Sequence, residues 1–308
     1  MTTVAAVDIG TNSVKITVGQ RDGGGGLRVL HDATEITRLG KKVDAAGRLA
    51  PEAVEKTLAA LETFGKAAHD LGAEKVAAVG TSALRDAANG AEFVREAERL
   101  LGGTVEVISG DREAHLIYLA ARRDPEIARA VPADALLATS DIGGGSTEIV
   151  LGRSDAVRFR DSLQLGAVRL TERTLPSDPP TPDEIAAATR MADEVLTAVP
   201  APQPGETAVL VASGGTAANL AGMERGGLSA DLHAARLTRA RIEARIVSLA
   251  SVPLAERRNI PGLEPDRADV ILAGAIIQSR VLHRLGADAL FVSLRGLRYG
   301  LLYELLGE

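Results

Sequence analysis

"DIGGGSTEIVLG", residues 141–152, ends an apolar strand on an acid, turns on glycines and hydroxyls, and enters a second apolar strand. The stretch "DIGTNSVKITVG", residues 8–19, does the same 133 positions earlier. Six of the twelve aligned positions are identical: Asp8 with Asp141, Ile9 with Ile142, Gly10 with Gly143, Ser13 with Ser146, Ile16 with Ile149 and Gly19 with Gly152. A glycine turn between two apolar strands predicts a β-hairpin. The surroundings repeat too. Residues 3–36 read as three strands, with "DGGGG" at 22–26 as a flexible connection. Pro51 then opens a helix that Gly72 stops, and "KVAAVG" and "TVEVIS" are strands alternating with helices that end in "REAERLLGG" and "DREAHLIYLAARR". The first half therefore runs β-β-β-α-β-α-β-α. After "PADALLA" the pattern restarts: strands to Asp141, over 146–151 and near 156–163, helical segments over 167–198, a strand at 207–212, helices, a strand at 288–293 and a last helix. The Pro-rich pieces "LPSDPPTP" and "VPAPQPGE" read as surface turns. One arrangement written twice predicts two similar α/β halves.

Composition limits the function. A chain of 308 residues with 45% hydrophobic and 25% charged residues has enough Leu, Val, Ile and Ala for two cores. Aromatic residues make up only 2%, with no Trp, so platforms for stacking nucleic-acid bases are scarce, and a net charge of −6 opposes a general polyanion-binding surface. No nucleic-acid partner is expected, and any anion must be held by a local site. The absence of cysteine excludes disulfides, thiolate metal sites and a cysteine nucleophile. The start "MTTVAAVDIG" lacks a signal peptide's basic opening, and the longest apolar runs, such as "VILAGAII" at 270–277, are too short to span a bilayer. A soluble, cytoplasmic protein with no membrane partner is the expectation.

The repeated loops carry the chemistry. Glycine lets backbone approach an anion closely, and the amides and side chains of Gly10, Thr11, Asn12 and Ser13, and of Gly143, Gly144, Gly145 and Ser146, are suited to donate to phosphate oxygens. The carboxylates of Asp8 and Asp141 repel phosphate and are suited instead to Mg²⁺. A third motif, "LVASGGTAANLAG" at 210–222, leads from a strand through Gly214, Gly215 and Thr216 into a helix whose first amides would meet an anion or nucleoside. The alternative for each is an ordinary turn without a ligand.

These residues resemble the exopolyphosphatase and guanosine pentaphosphate phosphohydrolase (Ppx/GppA) family of the actin, Hsp70 and sugar kinase superfamily. The resemblance covers nearly the whole chain through "DIGTNS", "TRLGKKVDAAGRL", "GTSALRDA", "VISGDREAHLIYLA", "DIGGGSTEIV", "LQLGAVRLTE", "ASGGTAANLA", "DRADVILAG" and "RGLRYGLLYELL", in family order. It implies an α/β fold of two ribonuclease H-like (actin-like ATPase) domains with an interdomain cleft. The domains would be 1–120, with the helix at 296–308 packing back on it, and 121–295. The length resembles the short members of the family. The implied activity is Mg²⁺-dependent hydrolysis of terminal phosphate from inorganic polyphosphate, short chains in particular, or from guanosine penta- or tetraphosphate.

By the same resemblance Glu113, in the place of the glutamate of "SGxxEA", activates water, and Arg85 in "TSALRDA" grips the phosphate that is lost. Asp141 and Glu148, with Asp8, would bind Mg²⁺. Gly143 to Ser146 and Thr11 to Ser13 would each cradle a phosphate. Arg38, Lys41, Arg169 and Arg267 are weaker candidates for a basic track, with solvated surface charge as the alternative. Asp111 and Arg112 stand where the family often carries a second Glu before the base, which leaves substrate preference open, and Tyr299 replaces the acid of "REGLL", a departure whose effect is open. The resemblance admits a monovalent cation and a homodimer. The five histidines have no metal-ligand spacing. Other functional classes are an ATP-dependent phosphotransferase and a non-catalytic sensor of a guanosine alarmone or polyphosphate.

Overall fold

The computed structural model describes all residues except 1, 24, 25, 133, 155 and 308, and omits the side chains of 44 and 230. Residues 24 and 25 of the expected flexible connection thus lie outside the described residues. The chain forms two compact units, Met1–Ala120 with Leu297–Glu308, and Ala121–Gly296.

In the first unit β1 (Thr3–Ile9), β2 (Ser13–Arg21) and β3 (Leu27–Ile36) form an antiparallel meander. The short α1 (Val43–Ala46) and the long α2 (Pro51–Asp70) follow. Then come β4 (Lys75–Gly80), α3 (Ser82–Asp86), α4 (Gly90–Leu101), β5 (Thr104–Val107) and α5 (Gly110–Arg123). The sheet order is β3-β2-β1-β4-β5, with β1, β4 and β5 parallel. Every residue of β1 is buried, as a strand covered on both faces requires. One face carries Ala5, Val7 and Ile9 against Leu61 and Phe64 of α2 and Phe93 of α4. The other carries Val4 and Ala6 against Leu116 of α5 and Leu301 of the C-terminal helix (Leu297–Leu305).

The second unit opens with α6 (Pro125–Ala130), capped by Asp124, whose side chain accepts from the amides of Glu126 and Ile127. It continues with β6 (Leu136–Ile142), β7 (Thr147–Arg153), β8 (Ala156–Leu163), α7 (Ala167–Thr174), α8 (Pro182–Leu196), β9 (Ala208–Ser213) and α9 (Gly214–Arg225). The strand β10 (Arg236–Thr238) and helices α10 (Arg239–Ala250), α11 (Leu254–Arg257) and α12 (Ile271–Arg284) precede β11 (Ala289–Val292); α13 is the C-terminal helix Leu297–Leu305 already placed in the first unit. A capping box of Thr181 and Glu184, with Pro182 at the first helical position, starts α8 and explains why the Pro-rich piece ends where it does. The helix α12 is buried almost all round, which accounts for the apolar run that fills its first two turns, residues 271–277.

The second sheet has the order β10-β11-β9-β6-β7-β8. Leaving out the edge strand β10, it repeats the first: a hairpin-linked meander at one side and parallel strands beside its first member. This is the ribonuclease H-like arrangement, present twice. Even the irregularities recur, because both second strands shift register at the equivalent glycine, Gly19 and Gly152. The short α1, α3 and β10 were not in the expected series. Elements of three to five residues are too brief to show a period.

Candidate active site

Both repeated loops close by the same bond: the Gly10 amide donates to the Ser13 carbonyl at 3.0 Å, and the Gly143 amide to the Ser146 carbonyl at 3.0 Å. What surrounds them fixes the direction of their peptides. In the first unit the Thr11 carbonyl accepts from the Gly40 amide at 2.8 Å, and the Asn12 carbonyl from the Arg38 amide at 3.0 Å. In the second, Gly143 and Gly144 carbonyls accept from the first amides of α7, at residues 167 to 169, and the Arg169 Nε donates to the Gly145 carbonyl at 2.7 Å. In a trans peptide the carbonyl of one residue and the amide of the next point in opposite directions. With the carbonyls turned to the scaffold, the amides of Asn12 and Ser13, and of Gly144, Gly145 and Ser146, are turned away from it. Consecutive amides so aimed make an anion-binding concavity. In the first unit, the buried Asn12 Nδ2 also has no hydrogen-bond partner.

The carboxylates of the two hairpins are in different company. Directly across the first hairpin from Asp8 stands Lys15, its ammonium 3.7 Å from the Asp8 carboxylate. At the equivalent place in the second hairpin, directly across from Asp141, stands Glu148. The Ser213 hydroxyl donates to Asp141 Oδ2 at 2.7 Å, and the Ser162 hydroxyl to Glu148 Oε1 at 2.6 Å. Gly214 begins α9 with φ +85°, and a Cβ there would lie 2.4 Å from Asp141 Oδ1. That close approach is why the strand-to-helix turn needs glycine.

Glu113 is in the first turn of α5 and is buried. Its Oε2 accepts from Arg85 Nη1 at 2.8 Å, and the same Nη1 reaches the Ile108 carbonyl at 2.9 Å. The structure thus brings together the two residues expected to act on the phosphate that is lost. Arg85 Nη2 is buried without a partner. The Gly10 loop, Arg85 and Glu113 follow the carboxyl ends of β1, β4 and β5, the edge of a parallel sheet at which ligands bind.

At both places where the resemblance breaks, the side chains have partners within the first unit. Arg112 Nη1 donates to Glu304 Oε1 of α13 at 2.6 Å, and Nη2 pairs with Glu304 Oε2, so the cation next to Glu113 in the chain is held by an acid of α13. This pairing with Glu304 raises the Arg112 pKa. At the second place, Arg298 and Tyr299 share one carboxylate of β3: Arg298 Nη2 donates to Asp32 Oδ1 at 2.7 Å, and the Tyr299 hydroxyl to Asp32 Oδ2 at 3.0 Å.

Of the weaker candidates, Lys41 is exposed. Arg38 adopts φ 57° in the loop that braces Asn12. Arg169 and Arg267 are buried, which rules out the solvated reading. Arg169 holds the Gly145 carbonyl, while Arg267 pairs with Glu264 and lies flat on Gly215, where a Cβ would meet its Nη1 at 2.2 Å. Thr216 donates to the Ile142 carbonyl at 3.4 Å, joining the third glycine motif to the end of β6. One further cluster, Asp124, Glu126 and His233, has ligand-like spacing. The His233 Nδ1 accepts the Leu294 amide, so the ring proton is on Nε2, 2.9 Å from Asp124 Oδ2. Arg295 already reaches both carboxylates at 3.0 Å. A guanidinium in place, and no lone pair on Nε2, make this a structural ion network.

Two ribonuclease H-like sheets, each opening on an acid-and-glycine hairpin, define an actin-like protein built to handle phosphate. The description of the Ppx/GppA phosphatase family matches residues 17–308, and the chain belongs to that family of phosphoanhydride hydrolases. Exopolyphosphatase 2 of Mycobacterium tuberculosis is 36% identical over 323 aligned positions, which span 100% of this chain and 99% of the relative. The structure of the Aquifex aeolicus PPX-GPPA enzyme is 35% identical with a TM-score of 0.81, covering 98% of this chain and 99% of that one. A guanosine-5'-triphosphate,3'-diphosphate pyrophosphatase of Aeromonas salmonicida is 29% identical and covers 99% of this chain but 59% of the relative. Among the described residues no helix is long and apolar enough to cross a membrane.

Proposed function

We propose that the protein is an exopolyphosphatase that releases orthophosphate from the ends of inorganic polyphosphate, with Glu113 as the base that takes a proton from the attacking water. The observation that carries this reading is the pair of loops whose carbonyls are bonded to the scaffold and whose amides are turned the other way. Each loop offers consecutive amides to a phosphate, the group that polyphosphate repeats. Arg85 holds the Glu113 carboxylate through one nitrogen, and its buried second nitrogen is the donor for a phosphoryl oxygen. Aligned donors of this type stabilise the charge that spreads over the transferred group.

The acid pair of the second hairpin fits Mg²⁺. Asp141 and Glu148 are all-oxygen donors directly opposite one another, whereas Asp8 has its counter-cation in Lys15. When bound, the ion neutralises charge on phosphate oxygens. Asp8 is therefore left out of the metal set in this reading. Guanosine pentaphosphate is the second substrate reading. The comparison favours polyphosphate, since this chain spans nearly all of an exopolyphosphatase but little over half of the pyrophosphatase.

The test is phosphate release from short polyphosphate, long polyphosphate and guanosine pentaphosphate, each with Mg²⁺, beside the Glu113→Gln protein. A general base contributes on the order of 10²–10⁴ in rate. Release that falls by that factor in the variant, with binding retained, is the expected result. Equal rates for the two proteins would remove Glu113 from the chemistry. Binding without turnover of any of the three would make the protein a sensor.

A further inference from the structure

Four strands of the second unit place one residue each in a single transverse row. Ser213 of β9 is opposite Asp141 of β6, Asp141 is opposite Glu148 of β7, and Glu148 is opposite Ser162 of β8. Side chains directly opposed on neighbouring strands share a face of the sheet. The bonds follow the row outward from its centre: each acid accepts a hydroxyl from the strand on its far side, Asp141 from Ser213 and Glu148 from Ser162. The row is thus Ser–Asp–Glu–Ser, two carboxylates in the middle with a neutral donor at each end. Glu148 and Ser213 are buried, while Asp141 and Ser162 are half-buried.

The first unit gives an internal control. Its equivalent row is Val79, Asp8, Lys15 and Thr34. There an ammonium faces the acid, and an apolar residue takes the place of Ser213. In the second unit the residue across the hairpin from the acid is itself a carboxylate, so the row offers oxygen donors side by side, the set that a hard divalent cation takes. A neutral hydroxyl on each outer oxygen fixes the rotamer of the acid and supplies no competing charge.

We propose that Ser213 and Ser162 are positioning residues for the divalent cation, each orienting one of its carboxylates. The inference rests on the metal reading given above. Such partners of ligand groups change metal affinity by about 10–100-fold when removed. Ser213 also gains its direction from packing, since a Cβ on Gly296 would lie 3.5 Å from the Ser213 hydroxyl and 3.2 Å from Asp141 Oδ2.

The experiment titrates the whole protein with Mn²⁺, following free Mn²⁺ by electron paramagnetic resonance, and records the melting temperature of each variant without metal. Ser213→Ala and Ser162→Ala are each expected to weaken Mn²⁺ binding by about tenfold. Ser162→Thr, which keeps the hydroxyl on an incompletely buried strand, is expected to restore it. A merely structural role would lower the melting temperature and leave the affinity of the folded protein alone. Wild-type affinity in both alanine variants, with Asp141→Asn binding weakly, overturns the inference and leaves the metal reading standing. Equal Mn²⁺ binding by wild type and Asp141→Asn overturns the metal reading itself.

Discussion

Single residues in this protein are set by partners far along the chain. Arg112 is the clearest case: it is the neighbour of Glu113 in the chain, and Glu304, 192 positions away, pairs with it. Asp124 is another, for it caps α6, pairs with Arg295 and lies 2.9 Å from His233 Nε2. Burial pushes its carboxyl up, but the neighbouring His233, the Ile127 amide and Arg295 outweigh this and hold it below the usual carboxylate value. A group depressed in the folded state contributes stability in full above its unfolded pKa, about 3.9, and loses it as pH falls through the folded value. Asp124→Asn keeps a capping side chain and removes the charge. The variant is expected to be less stable by about 2 kcal/mol at neutral pH, and the gap to wild type should close below about pH 4. Urea unfolding at several pH values measures it, and a constant gap would mean that the ion network adds nothing.

At the scale of elements, the fold depends on glycines where elements come closest. Gly214 lets α9 start against the Asp141 carboxylate, and Gly300 lets α13 lie on α5, where a Cβ would fall 2.0 Å from the Leu116 carbonyl. Gly214→Ala meets both obstacles at once, a left-handed φ of +85° and a contact of 2.4 Å with Asp141 Oδ1. A non-glycine residue in a strained region costs about 1–3 kcal/mol. We expect a lower melting temperature by several degrees together with at least about a tenfold loss of phosphate release, because the displaced atom belongs to the acid pair proposed to hold Mg²⁺. Full activity in a destabilised protein would separate the turn from the chemistry. The motif "ASGGTA" shows that a tight turn is present; that its first glycine touches an acid 73 positions earlier appears only when β9 is paired beside β6.

For the molecule as a whole, a net charge of −6 repels a polyanion, so attraction has to come from the loops themselves. Raising ionic strength from about 0.1 M to about 1 M shortens the screening length from about 10 Å to about 3 Å. The kcat/KM for short polyphosphate is therefore expected to fall several-fold over that range, and a flat profile would point to recognition without charge. The chain sequence by itself determined the twofold repeat, the order of the longer elements along each half, the glycine loops and the acids that precede them, since each is written in local periodicity and turn chemistry. Only the tertiary structure decided that Arg169 and Arg267 are buried braces, that Asp32 and Glu304 are the partners at the two departures, and that serines from β8 and β9 flank the acid pair. The reason is range. A turn or an amphipathic period is fixed by neighbours a few residues apart, whereas the partner of a buried charge is chosen by which strands and helices pack side by side.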